Sequence, residues 1–582
     1  MNPVLGVSTS ILGQPWRWRA LAADGRGGWG ADDLVTQLLL SRGVAREALD
    51  QHRAPSIRGF MPDPSSFQDM DRAAERLADA VQAGERVAIF GDYDVDGATS
   101  AALTVLILRD LGLDPVAYIP DRLTEGYGPS AAALTRLATE GATLIVTVDC
   151  GAQAFEPLQA AHNAGVDVIV ADHHQCASSL PRALAVVNPN RLDETGSHGH
   201  LAAVGVCFLL CAALIRTLRK RGFFAARAEP RLLDHLDLVA LGTVADVAQL
   251  KGLNRAFVAQ GLKVMGQRRN PGLAALIEAS RLTRAPTCTD LGFALGPRIN
   301  AGGRVGQADL GVRLLTTSDP AEAKALALEL DGFNQDRRVI EAGVQEAAEA
   351  MATEGRRIVV AAGPRWHPGV IGIVAGRLKE KLGRPVIVIA IDEAGVGKGS
   401  GRSIAGVDLG AAILAAKEAG IVSAGGGHAM AAGLTIAAGR IPDLADFLET
   451  RLADTVDRAS EGRALLVDAV VATGGVCPEL VDQMDTGGPY GAGWPAPRVA
   501  AGPVRVIKAD VVGAGHVRCI VAGDDGQSLK AMAFRHAETL LGQALLGAAP
   551  HRRLWLVGRA KRDEWGSRPA AELHVEDAAW AD

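Results

Sequence analysis

GDYDVDG, residues Gly91–Gly97, stands directly behind the apolar run Val87–Phe90, and its reading decides the fold. Three more segments repeat the arrangement: TVDCG at Thr147–Gly151, ADHH at Ala171–His174 and GTVAD at Gly242–Asp246, each behind an apolar, β-rich run. If those runs are successive strands of one sheet, Asp92, Asp94, Asp96, Asp149, His173, His174 and Asp246 gather where the strands end. Parallel α/β sheets bind their ligands outside the carboxyl ends of the strands. Carboxylates crowded on one rim repel, by about 4 kcal/mol for two charges 4 Å apart at an effective dielectric constant of roughly 20. Some must then take up protons, or cations must neutralise them. The pattern points to a two-metal centre.

Outward from this stretch, VAIF (Val87–Phe90), PVAYI (Pro115–Ile119), TLIVTVD (Thr143–Asp149), VDVIVAD (Val166–Asp172) and ALAVVN (Ala183–Asn188) read as strands. Helix-period segments such as Thr99–Leu111 and Ser130–Glu140 lie between them. That alternation indicates βαβ units and a parallel sheet covered on both faces. The predicted fold is therefore α/β, with a parallel-sheet catalytic domain over residues 80–318. A stretch rich in Ala, Glu, Leu, Lys and Arg follows, from Pro320 to about Glu354, and carries NQDRR at Asn334–Arg338. It predicts a connecting helix, assigned to 319–355. A smaller α/β domain is expected over 356–460, with a helix at about Val370–Leu382, a Gly-rich loop GKGSGRS at Gly397–Ser403 and AGGGHAMAAG at Ala424–Gly433. From 461 to 582, short β runs with Gly-rich turns predict a small barrel. The N-terminal segment, 1–79, holds Trp16-Arg17-Trp18-Arg19 and the Pro-rich stretch Pro55–Pro64. The simpler expectation is that its tryptophans pack on the main body, the alternative that they stack on nucleic acid.

At 582 residues the chain exceeds what one core supports. A hydrophobic content of 48% with 22% charged residues is ordinary for a globular chain. The net charge of −6 argues against bulk attraction to nucleic acid, so any such contact must come from local basic patches. None of the 7 cysteines forms a CxxC pair, which fits reduced thiols in the cytosol rather than a zinc site. The first residues lack the charged and apolar regions of a secretory signal. The longest apolar run, Leu201–Ile215, is shorter than the ~20 residues a membrane span needs and reads as a buried helix. The expected location is cytoplasmic, with no membrane partner.

Asp92, Asp94 and Asp96 alternate with Tyr93 and Val95, which in an extended segment puts the three carboxylates on one side. Where the backbone turns into a helix, at least two reach the same ion. An EF-hand is excluded, because the twelfth position counted from Asp92 is Leu103 and not the required Glu. Asp149 ends an apolar strand, where a lone carboxylate would be costly to bury. Carboxylates with imidazole suit Mn²⁺ or Mg²⁺ better than Zn²⁺, and the histidines tilt the choice to Mn²⁺. Two such ions about 3.5–4 Å apart activate water and clamp the leaving oxygen of a phosphoester.

These four segments resemble the catalytic motifs of the DHH phosphoesterase superfamily. RINAGGR at Arg298–Arg304, WHPGVIG at Trp366–Gly372, GGGH at Gly425–His428 and GPYGAGWP at Gly488–Pro495 are similar to further motifs of its bacterial single-strand exonuclease family. The order of parts agrees from about Arg72 to Lys561. The resemblance implies a DHH domain, a long connecting helix, a DHHA1 domain that closes over the substrate, and a C-terminal barrel of the oligonucleotide-binding (OB) type. It implies metal ligation by Asp94, Asp96, Asp149, His173 and Asp246, with Asp92 and His174 on the metals or directly beside them. Many members carry a His where this chain has Phe90, and Asp92 is the residue placed to compensate. Ser400 and Arg402 are implied to bind a terminal phosphate, with Arg122 of PDRLTEGYG as a third member. Arg298 and Arg304 are implied to hold backbone phosphates, and His428 to face the cleft.

The activity implied is a 5′→3′ exonuclease on single-stranded DNA, releasing 5′-mononucleotides with two divalent cations, Mn²⁺ or Mg²⁺, in recombination and repair. A single-strand-binding protein and a RecQ-type helicase are the protein partners that role brings into view. Two rival readings remain. A small-substrate DHH phosphatase or oligonucleotidase would be shorter and lack the barrel. A catalytically inactive strand-binding scaffold would have lost ligands, whereas all four acidic motifs are intact here.

Overall fold

The computed structural model describes residues 3–19, 33–122, 124–352, 355–549, 551–563 and 569–581. Their contacts group into two units. One comprises Pro64–Asp246 and Val264–Gly462; the other comprises Met1–Asp63, Val247–Lys263 and Arg463–Asp582. The described residues up to Asp63 thus group with the C-terminal part of the chain.

In the larger unit, β1 (Val87–Gly91), β2 (Val116–Tyr118), β3 (Leu144–Val148), β4 (Asp167–Ala171) and β5 (Ala185–Val187) form a five-stranded sheet in the order β2-β1-β3-β4-β5, every pair parallel. β1 and β3 are buried along their whole length, which is why both read as unbroken apolar runs. Phe90 is fully buried in β1 and belongs to the core, not to the rim.

Helix α1 (Val95–Asp110) starts as soon as β1 ends, because the Asp94 side chain caps it by accepting from the Gly97 N–H at 3.0 Å. A Cβ on Gly97 would lie 2.4 Å from the Asp92 carbonyl oxygen, so only glycine permits this turn. All of the run Leu201–Ile215 but its first two residues lies in α2 (Ala203–Lys220), a largely buried helix. Among the described residues no helix is long and apolar enough to cross a membrane.

The expectation that Asp246 ends a strand is corrected. Its apolar run forms helix α3 (Leu236–Ala245), and Asp246 follows as the C-cap residue. The stretch is buried from Leu236 to Thr243, so it lacks the polar face that distinguishes a helix from a buried strand in sequence. Gly242 lets α3 press against α1: a Cβ there would sit 2.3 Å from Thr99 Oγ1 and 3.0 Å from Asp96 Oδ1.

Helix α4 (Gly296–Val305) holds the RINAGGR motif, and α5 (Pro320–Ala350) is the connecting helix, 31 residues long. Asp319 caps α5 by accepting from the Ala321 N–H at 2.9 Å, with Pro320 in the first turn, where its missing N–H costs nothing. The second lobe has β6 (Val359–Pro364), α6 (Ile371–Leu382), β7 (Val386–Ile391), β8 (Val396–Arg402), β9 (Ala424–His428) and β10 (Ala431–Ala437), with strand order β9-β10-β8-β7-β6.

The expected Gly-rich loop GKGSGRS is instead mostly strand β8. Gly397, Gly399 and Gly401 fall on one face, where Cβ atoms would lie 2.7, 2.8 and 2.6 Å from side-chain atoms of Ile389, Leu434 and Leu409. The missing side chains let those apolar groups close onto the strand. Lys398, Ser400 and Arg402 occupy the other face.

In the smaller unit, β11 (Ala469–Val471), β12 (Val499–Val512), β13 (His516–Gly523), β14 (Ser528–Ala533), β15 (Leu554–Arg562) and β16 (Ala571–Trp580) form one sheet. It closes into a five-stranded barrel because β12 pairs with both β13 and β15, while β11 adds to β12 outside the ring. Trp16–Trp18 pairs with Leu465–Val467, and Trp16 is fully buried with its indole N–H on Asp577 Oδ2 at 3.0 Å. Packing, not base stacking, accounts for that tryptophan.

Candidate metal centre

β1, β3 and β4 deliver three of the four motifs to one rim. Asp92 follows β1, Asp149 follows β3, and Asp172, His173 and His174 follow β4. Asp149 adopts φ 59°, the left-handed region that costs a non-glycine residue about 1–3 kcal/mol, and Gly151 follows at φ 112°. The chain is thereby turned sharply off the strand end.

The three aspartates of GDYDVDG do not share one side. Because α1 begins at Val95, the helical turn separates Asp96 from Asp92 and Asp94. Asp92, Asp94 and Asp149 bring one ligand atom each within 4.8 Å of one another, and so do Asp96, His173 and Asp246. Asp149, His173 and His174 form a third such group that joins the first two. His173 Nε2 lies 3.3 Å from Asp149 Oδ1 and 3.9 Å from Asp96 Oδ2. Two adjoining ligand sets therefore exist, with Asp149 and His173 at their junction.

Backbone and neighbouring side chains hold these groups in place. Asp96 accepts from the N–H groups of Ala203 at 2.7 Å and Val204 at 2.9 Å, at the start of α2, where the helix dipole favours a carboxylate. His173 Nδ1 lies 3.0 Å from the Leu201 carbonyl, which can only accept. Its proton therefore sits on Nδ1, leaving the Nε2 lone pair for a cation, the usual arrangement of a ligating histidine. Asp172 accepts from the N–H of Ala152 at 2.9 Å and of His173 at 2.7 Å, and lies 2.8 Å from His174 Nδ1. Burial opposes charge on both partners, yet their mutual hydrogen bond prevails, holding Asp172 down at about 2 and raising His174 to about 9.

Asp92, Asp96, Asp149 and Asp246 are strained by burial and by neighbouring carboxylates. Burial, followed by neighbouring carboxylates, raises Asp149 well above the usual range. Asp92 is raised by burial and then by Asp94. Burial also raises Asp96 and Asp246, the latter to about 8. Asp92 Oδ1, Asp149 Oδ1 and His173 Nε2 are buried without a hydrogen-bond partner. Unpartnered oxygen and imidazole nitrogen atoms converging on one place fit divalent cations of the Mn²⁺ or Mg²⁺ type. Asp94, Asp96, Asp149, His173 and Asp246, with Asp92 in place of a residue at 90, are the groups that would hold them.

A second cluster has the opposite sign. Arg122 lies over the Tyr93 ring, 4.9 Å from its centroid, and donates to the Tyr93 hydroxyl. Arg402 donates to Ser400 Oγ at 3.1 Å. Burial, then Arg304 and Arg122, pushes Arg402 below the ordinary arginine range. Burial and Arg304 do the same to Arg122. Gly372, at the N-terminus of α6, leaves space here, since a Cβ would sit 3.0 Å from Ser400 Oγ and 3.2 Å from Arg402 Nη2. Three guanidiniums, a hydroxyl and a helix N-terminus make a setting for a phosphate.

Other expectations fare differently. Arg298 is not brought to this cluster: its Nε is 2.8 Å from Asp331 Oδ1, and Nη1 donates to the Ala294 carbonyl at 2.7 Å. It is an internal tie between α4 and α5, where helix packing uses the cation. His428 is exposed on edge strand β9 and pairs with Ala431, which pairs with Arg402. Directly opposite residues share a face, so His428 stands on the face of Ser400 and Arg402, about 10 Å across two strand spacings from Arg402. His367 Nδ1 accepts from the Gly369 N–H at 3.1 Å and orders its own turn.

Sequence reasoning gave no role to Asp172 or Tyr127. Asp172 orients His174, a role whose signal was its place in the ADHH tripeptide. The Tyr127 hydroxyl lies 3.4 Å from His174 Nε2, and its place in PDRLTEGYG, the stretch that carries Arg122, was the one signal for it.

Comparison with known proteins agrees with this architecture. The DHH family N-terminal domain matches residues 86–243, the DHHA1 domain 355–454 and the RecJ OB domain 467–577. The single-stranded-DNA-specific exonuclease RecJ of Dickeya dadantii is 41% identical over 529 residues, spanning 87% of this chain and 90% of that protein. The Escherichia coli protein of the same name is 39% identical over 507 residues, spanning 84% of this chain and 86% of its own length. The crystal structure of Thermus thermophilus RecJ in complex with Mn²⁺ superposes with a TM-score of 0.76 at 28% identity, covering 97% of this chain and 79% of that one. A crystal structure of exonuclease RecJ bound to manganese gives a TM-score of 0.58 at 36% identity, over 67% of this chain and 97% of that one. With its three domains in order and such identity over most of its length, the chain belongs to the RecJ family.

Proposed function

We infer that this chain is a metal-dependent exonuclease specific for single-stranded DNA, hydrolysing phosphodiesters from the 5′ end and releasing 5′-mononucleotides. One observation carries the reading. Within a single unit, a carboxylate–imidazole cluster calls for cations, and a guanidinium cluster beside it calls for an anion. A phosphate ester between divalent cations and arginines satisfies both.

Divalent cations held by Asp94, Asp96, Asp149, His173 and Asp246, with Asp92, would neutralise charge on the phosphoryl oxygens and lower the pKa of bound water towards neutrality. The chain's own groups position and orient. Arg122, Ser400 and Arg402 receive the terminal phosphate and so fix polarity, while Arg304, beside Asp94 and Asp92, takes a phosphate nearer the reacting bond. His174, held charged by Asp172, offers a proton donor at the rim. His428, on the face of Ser400 and Arg402, adds a donor on the strand's path.

Specificity for single strands is carried over from the named relatives. On the barrel, the exposed Phe534 ring lies 5.2 Å from that of His516 and 4.8 Å from that of His574, a platform suited to base stacking. A single-strand-binding protein and a RecQ-type helicase are the protein partners this activity would use, since one holds and the other produces such strands. The setting this reading assigns is the cytoplasm, in recombination and repair.

The test is a polarity assay with Mn²⁺ on end-labelled single-stranded and duplex DNA. A 5′-labelled single strand should yield a labelled mononucleotide as first product, with blunt duplex resistant. Release from the 3′ end, or equal cleavage of duplex, would overturn the reading.

A further inference from the structure

The NQDRR motif of the connecting helix plays no part in the chemistry above, yet it opens a buried charged network. Asn334, Arg337 and Glu341 fall on one face of α5, and all three are buried. Arg337 donates to Glu341 Oε2 at 2.7 Å and to Asn334 Oδ1 at 2.9 Å. From the second lobe, Arg377 on α6 brings Nη1 to 2.7 Å from Glu341 Oε1. The Glu341 carboxylate, only 1% exposed, is thus gripped by one guanidinium from its own helix and one from α6.

Arg304 stands between this network and the metal centre. Asp94, Glu341 and Asp92 are the carboxylates that act on it. Its Nη1 donates to the Gly369 carbonyl at 3.0 Å, in the turn that leads into α6. The backbones touch there too: a Cβ on Gly369 would lie 2.6 Å from the Arg304 carbonyl oxygen. Arg304 therefore joins the first lobe to the second at the turn that leads into α6.

The charges explain what Glu341 is for. Arg304, Arg338 and Arg377 all repel Arg337, and Arg304 in turn acts against Arg122 and Arg402. Through Arg377, Glu341 ties α6, and with it the Gly369 turn that accepts from Arg304, to the connecting helix.

We propose that Glu341 is a positioning residue: through Arg377 it seats α6, and through the Gly369 turn that seating fixes Arg304 against the substrate phosphate. This rests on the reading above that Arg304 contacts the strand. Glu341 itself touches no substrate, so its effect must pass through Arg304.

A double-mutant cycle separates this from a merely structural role. Glu341→Gln, Arg304→Ala and the double variant are assayed for kcat and KM on single-stranded DNA in saturating Mn²⁺, with unfolding midpoint and Mn²⁺ affinity measured alongside. Glu341→Gln is expected to lower kcat about tenfold with KM changed less than about twofold and Mn²⁺ affinity unchanged. In the Arg304→Ala background the same change is expected to cost less than about twofold. A further tenfold loss in that background would show that Glu341 acts independently of Arg304, and the proposal falls. Wild-type kcat in Arg304→Ala alone would overturn the phosphate contact itself, and the proposal with it. If Glu341→Gln does not fold, Glu341→Asp, which keeps the charge but withdraws it, runs the same cycle with a smaller kcat loss expected.

Discussion

The carboxylate cluster and the guanidinium cluster are mirror images electrostatically and opposites in construction. Each crowds like charges beside buried surface until they are pushed from their ordinary ionisation, Asp92, Asp96, Asp149 and Asp246 upward and Arg122 and Arg402 downward. The carboxylates are supplied almost entirely by strand ends, so each lies within a few residues of an apolar run that announces it. The arginines come from a loop after β2, the end of α4 and the edge of β8, and only folding brings them together. Like-charge clusters of this kind are stable only with a counter-ion, and the two signs side by side define a ligand with both demands.

That contrast can be broken most forcefully at the junction of the two ligand sets. Asp149→Ala or His173→Ala should lower cleavage of single-stranded DNA by more than about 100-fold, because each opens one ligand set together with the group that joins the two. Retained activity within about tenfold in saturating Mn²⁺ would remove the two-cation assignment.

A smaller and more selective effect belongs to the arginines. Arg402→Ala should weaken cleavage of 5′-phosphorylated strands by roughly 10- to 100-fold, the value of a charged hydrogen bond of about 1.5–3 kcal/mol. Strands with a 5′-hydroxyl should be much less affected. Equal loss on both would show that Arg402 does not read the terminal phosphate.

The pH dependence sharpens the comparison further. Asp246, raised to about 8, and the other raised carboxylates keep protons in the folded chain that the unfolded chain has lost. Between the ordinary carboxylate pKa of about 4 and that raised value, the folded state binds more protons, so stability falls as pH rises. The unfolding midpoint in EDTA should therefore drop from pH 5 to pH 8, and Mn²⁺ should suppress the drop while releasing protons on binding. A flat midpoint in EDTA would mean that the carboxylates are not under this strain.

The least effect on chemistry is expected at Arg298. Its tie to Asp331 makes it structural, so Arg298→Gln should cost about 1–3 kcal/mol of stability, read as a lowered unfolding midpoint. Its kcat should stay within about twofold of wild type. A large kcat loss without destabilisation would return Arg298 to the substrate path.

What the sequence made legible follows the same division. All five strands of the first sheet are visible as apolar runs, and so are the ligands at their ends. Asp246 was placed rightly in the cluster for a wrong reason, since a helix buried on all sides carries no period to tell it from a strand. The β8 glycines suggested a loop because composition hides their alternation, which is what lets Ile389, Leu434 and Leu409 close over the strand. Arg298 and Arg304 stand in one motif and look equivalent. Only the packing of α4 turns the first toward Asp331 and leaves the second beside Asp94. Glu341 was invisible for a related reason, as its partner Arg377 comes from another lobe.

The central claim is that two adjoining ligand sets meet at Asp149 and His173. Its most direct test is a Mn²⁺ titration of the metal-stripped protein followed by electron paramagnetic resonance, counting bound ions and reading the coupling between them. The account predicts two ions per chain with spin coupling, and a single uncoupled ion in Asp246→Asn, which opens one set and leaves the other. One ion in the wild-type chain, or two ions with no coupling, would contradict it.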